Sequence, residues 1–175
     1  LMAGKLVQIA TANITSPTAT VSLTGIDDDS TYIVTFNTLT TSNDTKNPRF
    51  RVTKASDSSA DSTANYDFAT RSFRTDTGYN NGANVDNTSF SIGNIGNGTQ
   101  ETAQGIIYLY QFADSSHPSY MRIEANYRHS TSSVLFAQFG GGVHTVNQAN
   151  NGVEFFENGG DTITGTFTLY KLVAS

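Results

Sequence analysis

Side-chain character in this chain changes with a period of two. Over residues 119–127, Met121, Ile123, Ala125 and Tyr127 fall on one side, and Tyr120, Arg122, Glu124 and Asn126 on the other. Successive side chains of an extended strand face opposite sides of a sheet, so this alternation predicts strands with one buried and one wet face. The same pattern recurs from residue 5 to residue 173, interrupted by segments rich in Ser, Thr, Asn, Asp and Gly. No stretch carries a helical stripe. The expectation is an all-β chain.

A length of 175 residues suits one domain with a real core, and residues 1–175 are taken as a single unit. Strands are expected at about 5–14, 19–23, 31–39, 49–54, 66–75, 88–92, 105–113, 119–127, 134–139, 153–156 and 163–173. Tyr32, Val34 and Phe36 are assigned to the core, as are Phe50 and Val52. Residues 76–87, with Gly78, Asn80, Asn81, Gly82 and Asn84, are expected to form a long loop. Gly140, Gly141 and Gly142 are expected to end a short strand. Residues 105–113 are apolar on both faces, with Ile106, Tyr108, Tyr110 and Phe112 on one and Ile107 and Leu109 on the other. Such a strand is central, or is covered on its outer face by a neighbouring subunit. About ten strands with turn signals between them predict an antiparallel β-sandwich of jelly-roll type.

Charged residues make up only 14% of the chain, which leaves a neutral polar surface and weak repulsion between copies. The net charge is −5 and the ten Lys and Arg are scattered, so nucleic acid is not an expected partner. With no cysteine there is neither a disulfide nor a thiolate metal site. No signal peptide or membrane-spanning helix is expected. The sequence is also expected to lack a separate anchoring domain, coiled coil or tail.

Candidate chemistry is sparse. Asp27, Asp28 and Asp29 form the one dense acidic run; it would suit a hard cation, but three adjacent side chains diverge, and a solvated turn explains them better. His117, His129 and His144 lack metal-ligand spacing. Glu154 and Glu157 flank Phe155 and Phe156 and are the pair a polysaccharide-degrading enzyme would use, although a catalytic separation cannot be inferred from their spacing. No nucleophile elbow or phosphate-binding loop is present. No catalytic residue, metal or cofactor is assigned. Tyr79, Tyr127 and Phe156 could stack on sugars. Phe136, Phe139, Phe155 and Phe156 lie on short strands bounded by glycines. One ring of the Phe155–Phe156 pair should face away from the subunit core, and burying it against a partner would contribute about 1.5–3 kcal/mol. These four phenylalanines are the candidate subunit interface.

The whole chain resembles small virion structural proteins of marine tailed phages, cyanophages especially. The likeness is carried by the opening Met2-Ala3-Gly4-Lys5-Leu6-Val7, by Val21-Ser22-Leu23-Thr24-Gly25-Ile26-Asp27, by Gly105-Ile106-Ile107-Tyr108-Leu109-Tyr110, and by the closing Gly165-Thr166-Phe167-Thr168-Leu169-Tyr170. The resemblance implies a non-enzymatic, oligomeric component of the virion surface, a dimer or trimer in contact with the major capsid protein or another virion protein. A capsid decoration protein is favoured over a tail-fibre or receptor-binding module, because tail fibres normally add an attachment segment and a shaft. A jelly-roll carbohydrate-binding protein stands third.

Overall fold

Every regular element is a strand within residues 4–130 and 134–173, which the computed structural model describes. Met2 and Ala3 of the opening motif lie outside those residues. Twelve strands occur among them: β1 (Lys5–Thr18), β2 (Thr20–Thr24), β3 (Tyr32–Thr41), β4 (Pro48–Lys54), β5 (Tyr66–Arg74), β6 (Tyr79–Asn87), β7 (Phe90–Ser91), β8 (Ala103–Tyr110), β9 (Ser119–Arg128), β10 (Leu135–His144), β11 (Asn150–Glu157) and β12 (Ile163–Val173). They form an eight-stranded sheet in the order β1-β12-β3-β8-β9-β10-β5-β6 and a four-stranded sheet in the order β2-β11-β4-β7. All ladders are antiparallel. The chain is a β-sandwich.

The core lies between the sheets and is aromatic at its centre. From the small sheet, Phe155 meets Phe167 of β12 at 4.8 Å between ring centroids and Phe36 of β3 at 6.1 Å. Phe50 packs on Phe90 at 5.1 Å, and Tyr66 meets Phe90 edge-on at 5.0 Å. Rings at these separations and tilts gain from their quadrupoles beyond the area they bury. The alternation expected for β3, β4 and β9 is borne out: Tyr32, Val34, Phe36, Phe50, Val52, Met121, Ile123, Ala125 and Tyr127 are all buried.

Four local expectations are corrected. First, residues 79–87 are not a loop. They form β6, an edge strand on β5 in the register Phe73↔Tyr79, Arg71↔Asn81 and Ala69↔Ala83. Its ladder is made by backbone groups, which do not depend on side-chain polarity. The hairpin closes with Thr77 at φ 68° beside Gly78, and the Arg74 N–H donates to the Gly78 carbonyl. Second, Gly140, Gly141 and Gly142 do not end a strand; they lie inside β10. A Cβ on Gly140 would stand 2.3 Å from the Ala69 carbonyl oxygen, and one on Gly142 would stand 2.6 Å from Phe90 Cε1. These glycines permit close approach rather than a turn.

Third, Phe112 does not share a face with Ile106, Tyr108 and Tyr110. Gln111 takes a positive φ of 58° just after β8 ends, the alternation breaks, and Phe112 turns into the core. Fourth, the first strand does not stop at residue 14; β1 continues through Pro17 to Thr18 across an irregularity after Ile14. An edge strand tolerates the missing N–H.

Candidate interaction surface

The two sheets turn different outer faces to solvent. On the small sheet, Ser22, Glu154 and Arg51 stand side by side in register. Arg51 binds Glu154 with Nε and Nη2 both on Oε1, at 3.0 and 2.8 Å, and its guanidinium carbon lies 4.3 Å above the Phe156 ring. This face is polar and its one large ring is roofed by an arginine.

The outer face of the large sheet is different. Strand register places Ile106, Glu124, Phe139, Arg71 and Asn81 in one transverse row across β8, β9, β10, β5 and β6. The neighbouring row on one side contains Ala137, Phe73 and Tyr79, and on the other Tyr108, Arg122, Gly141, Ala69 and Ala83. Phe139 is 42% exposed, Phe73 56% and Tyr79 58%. Phe73 and Phe139 meet edge-to-face at 6.2 Å, and the Arg71 guanidinium carbon lies 4.1 Å from the Tyr79 ring centroid. Tyr110, Tyr120 and Leu135 are further exposed apolar groups of the large sheet. The small residues Gly141, Ala69 and Ala83 floor a shallow trough of about 680 Å3, with Val85 and Asp67 on its rim. Charges on this part of the face balance: Arg122 pairs with Glu124 at 2.8 Å, and Asp67 carries the charge opposite to that of Arg71.

The four phenylalanines singled out from sequence are not brought together. Phe155 is fully buried between the sheets. Phe156 faces out from the small sheet, as one ring of the pair had to, but Arg51 covers it and leaves 9% exposed. Phe136 is buried, stacked on Tyr127 and His129 with ring centroids 5.2 Å away in each case. Phe139 alone of the four lies on the open aromatic face. Its companions Phe73 and Tyr79 do not stand out in the sequence, because Tyr79 opens a polar segment rich in Asn and Gly. The signal available was the spacing Phe73, Arg71, Ala69, which is strand-like on the face opposite Ser72.

The ionisable groups serve local structure. The Tyr32 hydroxyl donates to Asp27 at 2.6 Å, and Lys171 Nζ lies 2.8 Å from Asp27 and 2.5 Å from Asp28. Lys171, through its hydrogen bonds, holds both carboxyls below the usual range and is itself raised by them. Asp28 also accepts from the Ser30 N–H. The acidic run is thus a turn tied to β12 by one lysine. Glu157 accepts from the Gly159 N–H at 2.6 Å, and Glu101 from the Gly98 N–H at 3.0 Å. The Ser116 hydroxyl and N–H, with His117, hold Asp114 down to about 2. Glu154 and Glu157 therefore have different partners and do not face a common cleft.

His144 is fully buried and its Nε2 lies 3.1 Å from Asp61. Burial pushes its pKa below the ordinary value, against the pull of Asp61. The neutral ring donates from Nε2, which leaves Nδ1 as an acceptor without a partner. The Tyr66 hydroxyl donates to the Asp61 carbonyl at 2.6 Å, so the 55–65 loop is riveted to the core. Among the described residues no group of three His, Asp or Glu could hold a metal ion.

No protein-family model matches this chain, and neither does any curated protein.

Proposed function

We propose that this chain is a non-enzymatic structural protein of a phage virion, a head-decoration module that sits on the shell against the major capsid protein. It assembles with copies of itself, as a dimer or trimer, through the outer face of its large sheet. The observation that carries this proposal is the aromatic patch of Phe139, Phe73 and Tyr79 on a charge-balanced sheet face.

The size is sufficient. Eight strands about 4.8 Å apart, each of about eight residues at ~3.4 Å, make a face of roughly 1,000 Å2. A standard interface takes ~800 Å2 from each partner. Each half-exposed ring has about 100 Å2 left to bury, or about 2.5 kcal/mol at most. Balanced charge and a low charge density leave little repulsion between like copies. The small sheet's outer face, with its Arg51–Glu154 pair already made, has less to gain.

The strand order supports a jelly-roll reading. Four strands in the order β1-β12-β3-β8 oppose four in the order β2-β11-β4-β7, the nested arrangement of two Greek keys. Two hairpins, β5–β6 and β9–β10, then extend the large sheet, and these hairpins bear the aromatic patch. Together with the sequence resemblance, this favours a virion surface component. Glu101, Asp114, Glu124, Glu154 and Glu157 are each engaged by local partners, which favours docking over catalysis.

Sedimentation velocity across the micromolar range tests the assembly. The wild-type chain is expected to be oligomeric, and the double variant Phe73→Ser/Phe139→Ser monomeric with an unchanged circular dichroism spectrum. A wild-type monomer throughout, or an oligomer indifferent to the double variant, would refute it. Gold-labelled protein seen by electron microscopy on the tail rather than in many copies on the head would refute the placement.

A further inference from the structure

We infer that a cleft beneath the β5–β6 hairpin is a binding site for a neutral saccharide of one or two rings. The large sheet is wider than the small one, so β5 and β6 overhang the small sheet's edge at β7. The overhang leaves a cleft of about 290 Å3 between the inner face of β10, β5 and β6 and the edge formed by Asn47, Arg49, Ser91 and Asn94. This volume is at the small end of the range for ligand sites, which runs from about 300 Å3 upward, and so suits one or two sugar rings.

Two observations point to a missing hydrogen-bonding guest. Gln138 sits on the inner face of β10, 4% exposed, and lines the cleft; its Oε1 has no donor. Arg49 lines the opposite wall; its Nη1 donates to Asn87 and Ser89, while its buried Nε has no acceptor. Buried polar atoms in native proteins are almost always paired, so a donor and an acceptor left unpaired among the described residues, on two side chains that line one cleft, point to a group that does both and that a turn of each side chain would meet. A sugar hydroxyl donates once and accepts readily, which answers both deficits.

The rest of the lining selects the class. It holds no carboxylate, which removes the ligands a cation needs. Its one charge, Arg49, already spends part of its fork on Asn87 and Ser89, and the surrounding groups are amides and hydroxyls. Asn80 and Asn94 add side-chain amides that are exposed at the mouth. Phe68 and Tyr127 supply the apolar surface on which the C–H face of a pyranose can lie. The site is on the inner side of the overhang, away from the aromatic outer face, so it does not depend on the assembly proposed above.

The test is a 1H–15N titration of the full chain with glucose, galactose, mannose, N-acetylglucosamine and lactose at millimolar concentration, with sodium sulfate as an anion control. At least one sugar is expected to shift the amide signals of Ser72, Gly93, Asn94 and Gln138. Gln138→Leu should weaken that response about tenfold or more, the loss of one buried hydrogen bond, while leaving the thermal midpoint unchanged or raised because an orphan atom is gone. Asn94→Ala, at an exposed position, should weaken it less and keeps the test decisive if Gln138→Leu does not fold. No response to any sugar, a response confined to the outer face, or a response to sulfate alone would each overturn the assignment.

Discussion

Replacing Phe155 by alanine should cost about 3–5 kcal/mol, while the same change at the adjacent Phe156 should cost about 2–3 kcal/mol. The difference follows from which side of one strand each ring occupies. Phe155 has no exposed surface and touches three other rings, with centroids 4.8 Å away at Phe167, 5.8 Å at Phe50 and 6.1 Å at Phe36. Its walls belong to both sheets, and β11 is hydrogen-bonded on each side, to β2 and β4. Such walls cannot collapse, so the lost transfer energy of about 1.5–3 kcal/mol is joined by a cavity and by the lost ring contacts. Phe156 lies beneath Arg51, which stays anchored to Glu154 when the ring goes, so the change loses about 1.5–3 kcal/mol of buried area and a cation–π contact but leaves no sealed cavity. Water can fill the space that it leaves.

Urea unfolding followed by far-ultraviolet circular dichroism measures both changes, provided that the transition slope is unchanged. If the two variants lose equal stability, or if Phe156→Ala loses more, then β11 does not present Phe155 to the core and the assignment of faces is wrong.

Two further outcomes are expected. Gly142→Ala should destabilise by about 1–3 kcal/mol, because the new methyl would stand 2.6 Å from the Phe90 ring and 2.7 Å from the Asp67 carbonyl oxygen, a backbone atom that cannot step aside; thermal melts against wild type decide it, and an unchanged midpoint counts against the packing described. Stability should also fall on acidification below the ordinary histidine range: the unfolded chain protonates His144 at its ordinary value, whereas the folded chain, with a depressed His144, does not, and Asp61, also depressed when folded, removes more as pH drops further. Melting at stepped pH should show a plateau above neutrality and a decline below it, which His144→Gln should blunt; a midpoint rising toward acid would contradict this.

Where each side chain pointed was largely legible within single strands. Residues 119–127 alternate cleanly because Ser119–Arg128 is a central strand with one face on the core, and the structure buries the side that the sequence marked. Legibility failed where backbone, not side chains, made the contact. Tyr79–Asn87 is all but devoid of an apolar inner face, so nothing in its composition announces a strand, yet β5 pairs with it throughout. The glycines at 140–142 look like a turn until Ala69 and Phe90 are seen against them. Phe112 changes sides through one positive φ at Gln111. For the candidate site, Phe139 was in view, but its neighbours Phe73 and Tyr79 come from strands distant in the chain.

From its residues alone, this protein was committed to pleated strands with an aromatic core, because alternation acts over two neighbouring positions and needs no knowledge of the partner strand. Tertiary structure decided how far each sheet extends, and with it the open aromatic face and the cleft beneath the overhang. Both arise from unequal sheet widths, a property of long-range hydrogen bonding between backbones that are chemically alike at nearly every residue.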